Sequence, residues 1–277
     1  MTAPSCRVAT LPEIRLMLEW AAQEGWNPGQ EDAGAFHAAD PHGFFVATQG
    51  GVPVAAISVV NHSDDFAFLG LYLCRPAFRG KGIGFALWNF ALSHSEGRTI
   101  GLDGVPDQEA NYARSGFVLT GRSCRLQGTL APTELRAPLA TPEDLAAIIG
   151  LDRAATGVDR PRFLTEWVAN HPTRKTVLLR GTGGITGFAT ARLCQDGCKI
   201  GPIIAPTAAA GFDLARQAAA ALDQTEIIVD VPDADGDLGR RLADNGFAVT
   251  FSTARMYRGP APLAGPTQQA IATMELG

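Results

Sequence analysis

The sequence is short of charge, short of uninterrupted apolar runs and empty of the usual targeting and nucleotide signatures, and each shortage excludes something. Charged residues make up 18% of the chain and hydrophobic ones 46%, against roughly 25% charged in an average soluble domain. Such a composition buries sizeable cores, which excludes global disorder. Lys and Arg number 23 against 28 Asp and Glu, a net charge of -5, so the basic footprint of a nucleic-acid binder is missing. The opening stretch MTAPSCRVATLPEIRL has no cationic start followed by an apolar core, and the expected location is the cytoplasm. The longest charge-free run, residues 41–63, is broken in its middle by Gln49-Gly50-Gly51-Val52-Pro53, and both halves alternate like strands; a membrane helix is not expected. Five cysteines, an odd number, fit a reducing compartment better than a disulfide framework. G-x-x-x-x-G-K-[ST], G-x-G-x-x-G and G-x-S-x-G are all absent, which leaves P-loop, dinucleotide and serine-hydrolase readings without support.

What is present is a repeat. At 277 residues the chain is about twice a usual domain length. Ser115-Gly116-Phe117-Val118-Leu119-Thr120 returns as Asn245-Gly246-Phe247-Ala248-Val249-Thr250, Pro12-Glu13 as Pro142-Glu143, and Pro76 as Pro206. The Gly50-Gly51 turn corresponds to Gly183-Gly184. Landmarks in the same order predict a duplicated domain, with residues 1–130 as the first copy, 131–260 as the second and 261–277 as a C-terminal tail. Each copy reads as strand, helix, hairpin, strand, helix, strand, helix, strand, an α/β unit on a mixed sheet. In the first copy the strands fall near 7–9, 44–48, 54–60, 66–74, 100–105 and 117–126. The helices fall near 12–24, 82–94 and 109–115, the second of them apolar almost all round and expected to be buried.

Between the strand at 66–74 and that apolar helix lies Arg75-Pro76-Ala77-Phe78-Arg79-Gly80-Lys81-Gly82-Ile83-Gly84. Glycines at a strand-to-helix turn let backbone approach a ligand, and the free N–H groups of the helix start favour an anion. Arg79 and Lys81 add positive charge, so a pyrophosphate suits the turn; the alternative is a tight turn with a solvated basic rim. Arg79-x-x-Gly82-x-Gly84, after a strand ending Tyr72-Leu73-Cys74, resembles motif A of the GNAT N-acetyltransferase superfamily, and Tyr112-x-x-x-Gly116-Phe117 resembles its motif B. The segment Glu24-Gly25-Trp26-Asn27-Pro28-Gly29 and the two-copy layout are similar to the tandem, YitH-type subgroup.

The resemblance implies an acetyl-CoA-dependent N-acetyltransferase acting on an amine, needing no metal. It places the Tyr72 N–H near the thioester carbonyl, Leu73 and Cys74 along the pantetheine arm, and Arg79, Gly80, Lys81, Gly82, Ile83 and Gly84 around the phosphates. Asn111 would touch the cofactor arm. Tyr112 is the candidate general acid for the leaving thiolate, a tyrosine of ordinary pKa about 10 being able to donate at neutral pH; it could equally be a packed aromatic. Asp103 and Glu24 are the base candidates, acting through water, or else structural. A sensor that binds acyl-CoA without turnover is the alternative class, and a protein lysine, a polyamine, an aminoglycoside or another metabolite remain open as acceptors.

Three further patterns carry expectations. Residues 16–74 hold no Lys or Arg but seven acids, Glu19, Glu24, Glu31, Asp32, Asp40, Asp64 and Asp65, so this half predicts either a negative field for a cationic amine or a solvated acidic face. Cys194-Gln195-Asp196-Gly197-Cys198 reads as a hairpin turn rather than a metal clip. In the second copy Ala209, Ala210, Phe212, Leu214 and Leu242 stand where Arg79, Gly80, Gly82, Gly84 and Tyr112 stand in the first. That copy is expected to be degenerate, either completing the acceptor pocket or taking the place of a dimer partner in a monomeric chain.

Overall fold

A computed structural model describes residues 4–277. The first copy runs β1 (Ser5–Val8), α1 (Leu11–Gln23), α2 (Asp32–Ala39), β2 (Phe44–Gln49), β3 (Val52–Asn61), β4 (Phe66–Cys74), α3 (Ile83–Leu92), β5 (Thr99–Gly104), α4 (Glu109–Arg114) and β6 (Val118–Thr129). The second runs α5 (Leu145–Thr156), α6 (Pro161–Trp167), β7 (Arg174–Gly181), β8 (Gly184–Leu193), β9 (Cys198–Ile204), α7 (Ala208–Ala220), β10 (Glu226–Val231), α8 (Asp237–Asp244) and β11 (Ala248–Arg258). A last short strand, β12 (Gln268–Ala270), follows.

Local chemistry sets several boundaries. Thr10 and Glu13 form a capping box at the start of α1, with Pro12 in its first turn, satisfying donors that the helix itself leaves open. Gly50 and Gly51 both take positive φ, 60° and 81°, the conformation a two-residue hairpin between β2 and β3 requires. In α3, Ile83, Leu87, Trp88 and Ala91 are buried, but Phe85 is 67% exposed and Phe90 42%. This helix therefore buries one face rather than all of them; Phe90 still packs edge-on against the buried Phe45 at 5.8 Å.

All the strands join one mixed sheet in the order β1-β2-β3-β4-β5-β11-β6-β10-β9-β8-β7, with β12 on β9. The closing strands are exchanged. β11 of the second copy lies between β5 and β6 of the first, antiparallel to both, and β6 reaches across to pair with β10. The division near residue 130 therefore marks the repeat in the sequence but not a boundary in the packing.

One core also crosses between the copies. α2 and α6, which the sequence reading did not anticipate, face each other there: Phe36 stacks on Trp167 at 6.1 Å and on Phe44 at 6.4 Å. Full burial of each such ring contributes about 1.5–3 kcal/mol. Asp32, at the start of α2, meets Arg174 at 2.8 Å and Arg192 at 3.3 Å, and both guanidinium groups sit 4.5 Å from the Trp167 ring.

Residues 261–277 are not a loose tail. Ala205 N donates to Thr267 O at 2.9 Å, β12 pairs with Ile203 and Ile204, and Ile271 N donates to Asp230 O at 2.9 Å. The segment thus enters between β9 and β10, whose own parallel pairing stops at Ile200 and Val229. Gly201 has no room for a Cβ because the Ile271 carbonyl occupies that place.

Candidate active site

The first copy has the same divergence without the filling. β4 and β5 pair from Phe66–Thr99 to Leu69–Leu102 and no further. The cause is a bulge: the β3–β4 register slips between Ala56 and Ser58, and Leu71 adopts φ +47°, which turns the strand away from its neighbour. The cleft that opens has a volume of about 630 Å³, and Leu71, Tyr72, Leu73 and Cys74 form one wall.

At its mouth, Gly80 and Gly82 take φ of +72° and +77°, and nothing lies within 4 Å of where their side chains would be. Gly82 caps α3 with no side-chain bond, and no acid stands in the first turn. The helix N–H groups therefore face open space, an arrangement suited to phosphate. Arg79 donates to Cys74 O at 2.8 Å and to Glu24 at 2.7 Å. The Arg79–Glu24 pair is half-exposed, worth at most about 1 kcal/mol, and is easily exchanged for a stronger anion. Ile83 and Gly84 also border the cleft, whereas Lys81 bonds Ala77 O at 2.8 Å and lies off its wall.

Tyr112 sits deeper. Its ring stacks on Trp88 at 5.7 Å and packs so closely on Gly104 that a Cβ there would collide with it. Burial, with a smaller effect of Tyr72, pushes its phenol up to about 12. The group is thus a protonated donor across the neutral range. Tyr72 places its hydroxyl beside Gly84, which ties the bulged strand to the start of α3.

Three site expectations change. Asp103 accepts from Arg255 Nε at 2.9 Å and Nη2 at 2.5 Å, from Ser123 at 2.8 Å and from Thr253 at 3.2 Å. Three of those bonds fall on Oδ1 and one on Oδ2, so the carboxylate joins β5 to β11 and β6 as a structural ion pair. Glu24 stands half-exposed at the mouth, paired with Arg79 at 2.7 Å. Asn111 is exposed, bonds Gln108 and Arg114 within its own turn, and is not on the cleft wall. The acidic run of residues 16–74 is also less free than its count suggests: Asp32 is neutralised by two arginines from the second copy, and Asp40 bonds His94 at 2.7 Å.

Trp26, from the Glu24–Gly29 segment, also lines the cleft, and other lining residues come from parts of the chain without a motif: Arg125, Phe251, Thr253, Met274 and Glu275. Arg125 holds Asp230 through two bonds of 2.8 and 2.9 Å and touches Met274 Sδ at 3.9 Å. Glu275 is the only acidic residue after Asp244, and that isolation was the one signal available. Cys194 and Cys198 flank a turn with Gly197 at φ +66°; both are buried, and burial pushes Cys198 to about 12. The turn serves as a dock, since Asn27 donates to Asp196 O at 2.7 Å.

The second copy's equivalent turn is closed. Thr207 caps α7 by accepting from Ala210 N at 3.2 Å, and β12 occupies the gap beside β9.

Comparison with known proteins agrees with this geometry. The GNAT acetyltransferase family model matches residues 11–117, and a GNAT acetyltransferase domain model matches residues 148–272. A holothin acyltransferase of a Pseudoalteromonas strain is 35% identical over 97% of this chain and 93% of its own. Among solved structures, a putative acetyltransferase of Pyrococcus horikoshii superposes with a TM-score of 0.82 over 100% of this chain and 97% of its own, at 19% identity. A tandem GNAT protein from the clavulanic acid biosynthesis pathway does so with 0.61 over 94% of this chain and 100% of its own, at 15% identity. No helix among the described residues is long and apolar enough to cross a membrane. With a family model on each half and a full-length acyltransferase relative, the chain belongs to the GNAT acyltransferase family, as a tandem member with one open cleft and one filled slot.

Proposed function

We propose that the first copy transfers an acetyl group from acetyl-CoA to the primary amine of a small molecule. One observation carries this reading: the only copy whose strands diverge onto an uncapped glycine turn, among the described residues, is also the copy with a buried protonated tyrosine in the cleft. The phosphates rest on the N–H groups of residues 79–84, and the pantetheine arm runs beside the unpaired edge of β4. The Tyr72 N–H donates to the thioester oxygen, where charge builds and a fixed donor lowers the barrier most. A neutral amine attacks the carbonyl carbon, the C–S bond breaks, and Tyr112 gives its proton to the sulfur. Burial keeps the Tyr112 phenol protonated across the neutral range, so its proton is available when the thiolate forms.

The relative named for holothin supports a small-molecule acceptor. The continuous sheet with exchanged closing strands supports a monomer in which the second copy takes the place of a dimer partner. Screening amines for thiol release from acetyl-CoA tests the reading. Thiol release with one amine and a matching acetylated product supports it; a chain that binds CoA but releases no thiol with any amine is a sensor and overturns it.

A further inference from the structure

The cleft borders on four carboxylates, Glu24, Asp103, Asp107 and Glu275. Glu24 pairs with Arg79, Asp103 is ion-paired with Arg255 and bonded by Ser123 and Thr253, and Asp107 is exposed on the rim. Glu275 differs from all three. It is buried and forms no ion pair among the described residues, and its carboxylate accepts only from the Thr273 hydroxyl.

Its position is tightly defined. The Glu275 carbonyl lies where a side chain on Gly70 would go, one residue past Leu69, where β4 leaves β5. The cations on which its charge acts are Arg125 on β6, Arg192 on β8 and Lys199 on β9, and Asp230 on β10 is bound to Arg125. The cations already have partners: Arg125 bonds Asp230, Arg192 bonds Asp32 and Ala272 O, and Lys199 bonds Trp26 O at 2.8 Å. Each of the three feels the negative charge of Glu275, yet none forms an ion pair or hydrogen bond with its oxygens.

We propose that Glu275, carried into the first copy's cleft by the C-terminal segment, is the carboxylate that takes the proton from the acceptor amine. This rests on the acetyl-transfer reading above. As the N–C bond forms and the C–S bond breaks, the ammonium proton moves to a Glu275 oxygen and the Tyr112 proton moves to sulfur. The two side chains then exchange protons with water, and the net change is one amide and one thiol. The segment that fills the slot of the second copy thereby completes the site of the first.

The test uses the full chain, CoA as the calorimetric probe and the amine that the wild type acetylates. Glu275→Gln is expected to bind CoA within about twofold of wild type while kcat falls on the order of 100-fold and the acidic limb of its pH profile disappears. A folded Glu275→Gln that keeps kcat within about threefold, with the limb unchanged, overturns the assignment. If that variant fails to fold, Thr273→Val decides. It removes the one donor to the carboxylate, so the acidic limb moves to higher pH; an unmoved limb overturns the assignment. Wild-type protein that binds CoA but acetylates nothing overturns the acetyl-transfer reading and takes this assignment with it.

Discussion

Arg255 grips Asp103 at two points, 2.9 Å from Nε and 2.5 Å from Nη2, and the two belong to different copies of the repeat. Asp103 has a fully buried side chain, and Arg255 has its pKa raised by that carboxylate even though burial opposes it. Arg255→Met should cost about 3–5 kcal/mol, since it strands a buried charge. The Asp103→Asn/Arg255→Met double variant should recover much of that loss in urea denaturation. Asp103→Asn alone should retain the acidic limb of the rate profile.

Gly82→Asp should lower CoA affinity by at least about 100-fold, because it puts a carboxylate on the open N-terminus of α3 where phosphate is held. Gly82→Ala should do less, costing about 1–2 kcal/mol of stability through the left-handed φ. Calorimetry with CoA separates the two, and unchanged affinity in a folded Gly82→Asp would remove the phosphate site from these residues.

Tyr112→Phe should reduce kcat on the order of 100-fold with little change in CoA affinity. The same substitution reports on stability. With the folded pKa near 12 and the unfolded value near 10, the unfolded chain releases its proton first, so stability is intact below pH 10 and falls between 10 and 12. Phenylalanine should flatten that fall in alkaline denaturation curves.

His62 behaves in the opposite sense. Burial, assisted by Arg160 and Arg162 and opposed by its bond to Leu276 O and by Asp40, lowers it to about 3. Below pH 6.5 the unfolded chain takes up a proton that the native state refuses, so stability declines as pH falls from 6.5 toward 3. His62→Gln should reduce the decline between pH 6.5 and 5, above the range of the carboxylates. His62 Nε2 donates to Leu276 O at 2.8 Å, a bond that protonation at Nδ1 leaves in place, so the loss comes from burying the charge and not from releasing the C-terminal segment.

Titration should find one CoA per chain. Phe212→Gly, which restores a glycine at the position matching Gly82, should not create a second site, because β12 still lies between β9 and β10. Two comparable sites in the variant would show that the segment yields to the cofactor.

The repeat, the glycine turn and Tyr112 were legible because each is a local pattern: a recurring string, a strand-to-helix punctuation, a motif of fixed spacing. The helices α2 and α6 were not. Both are short, and residues such as Ala33, Phe36, Phe163 and Trp167 signal their packing only once the two copies meet. Asp103 stood as a base candidate or else a structural group, and nothing near it in the sequence shows its partner. The guanidinium that occupies it lies 152 positions away.

By itself the sequence determined the α/β unit, its duplication, the open turn in the first copy and its loss in the second, since these follow from short-range periodicity and from the backbone freedom of Gly80 and Gly82. Only the tertiary structure decided that β6 and β11 are exchanged, that residues 267–277 close one slot and line the other cleft, and which carboxylates are occupied. Strand order, burial and ion pairing are settled by which surfaces come together across the whole chain, and no local pattern encodes the partner that Asp103 or Glu275 will meet.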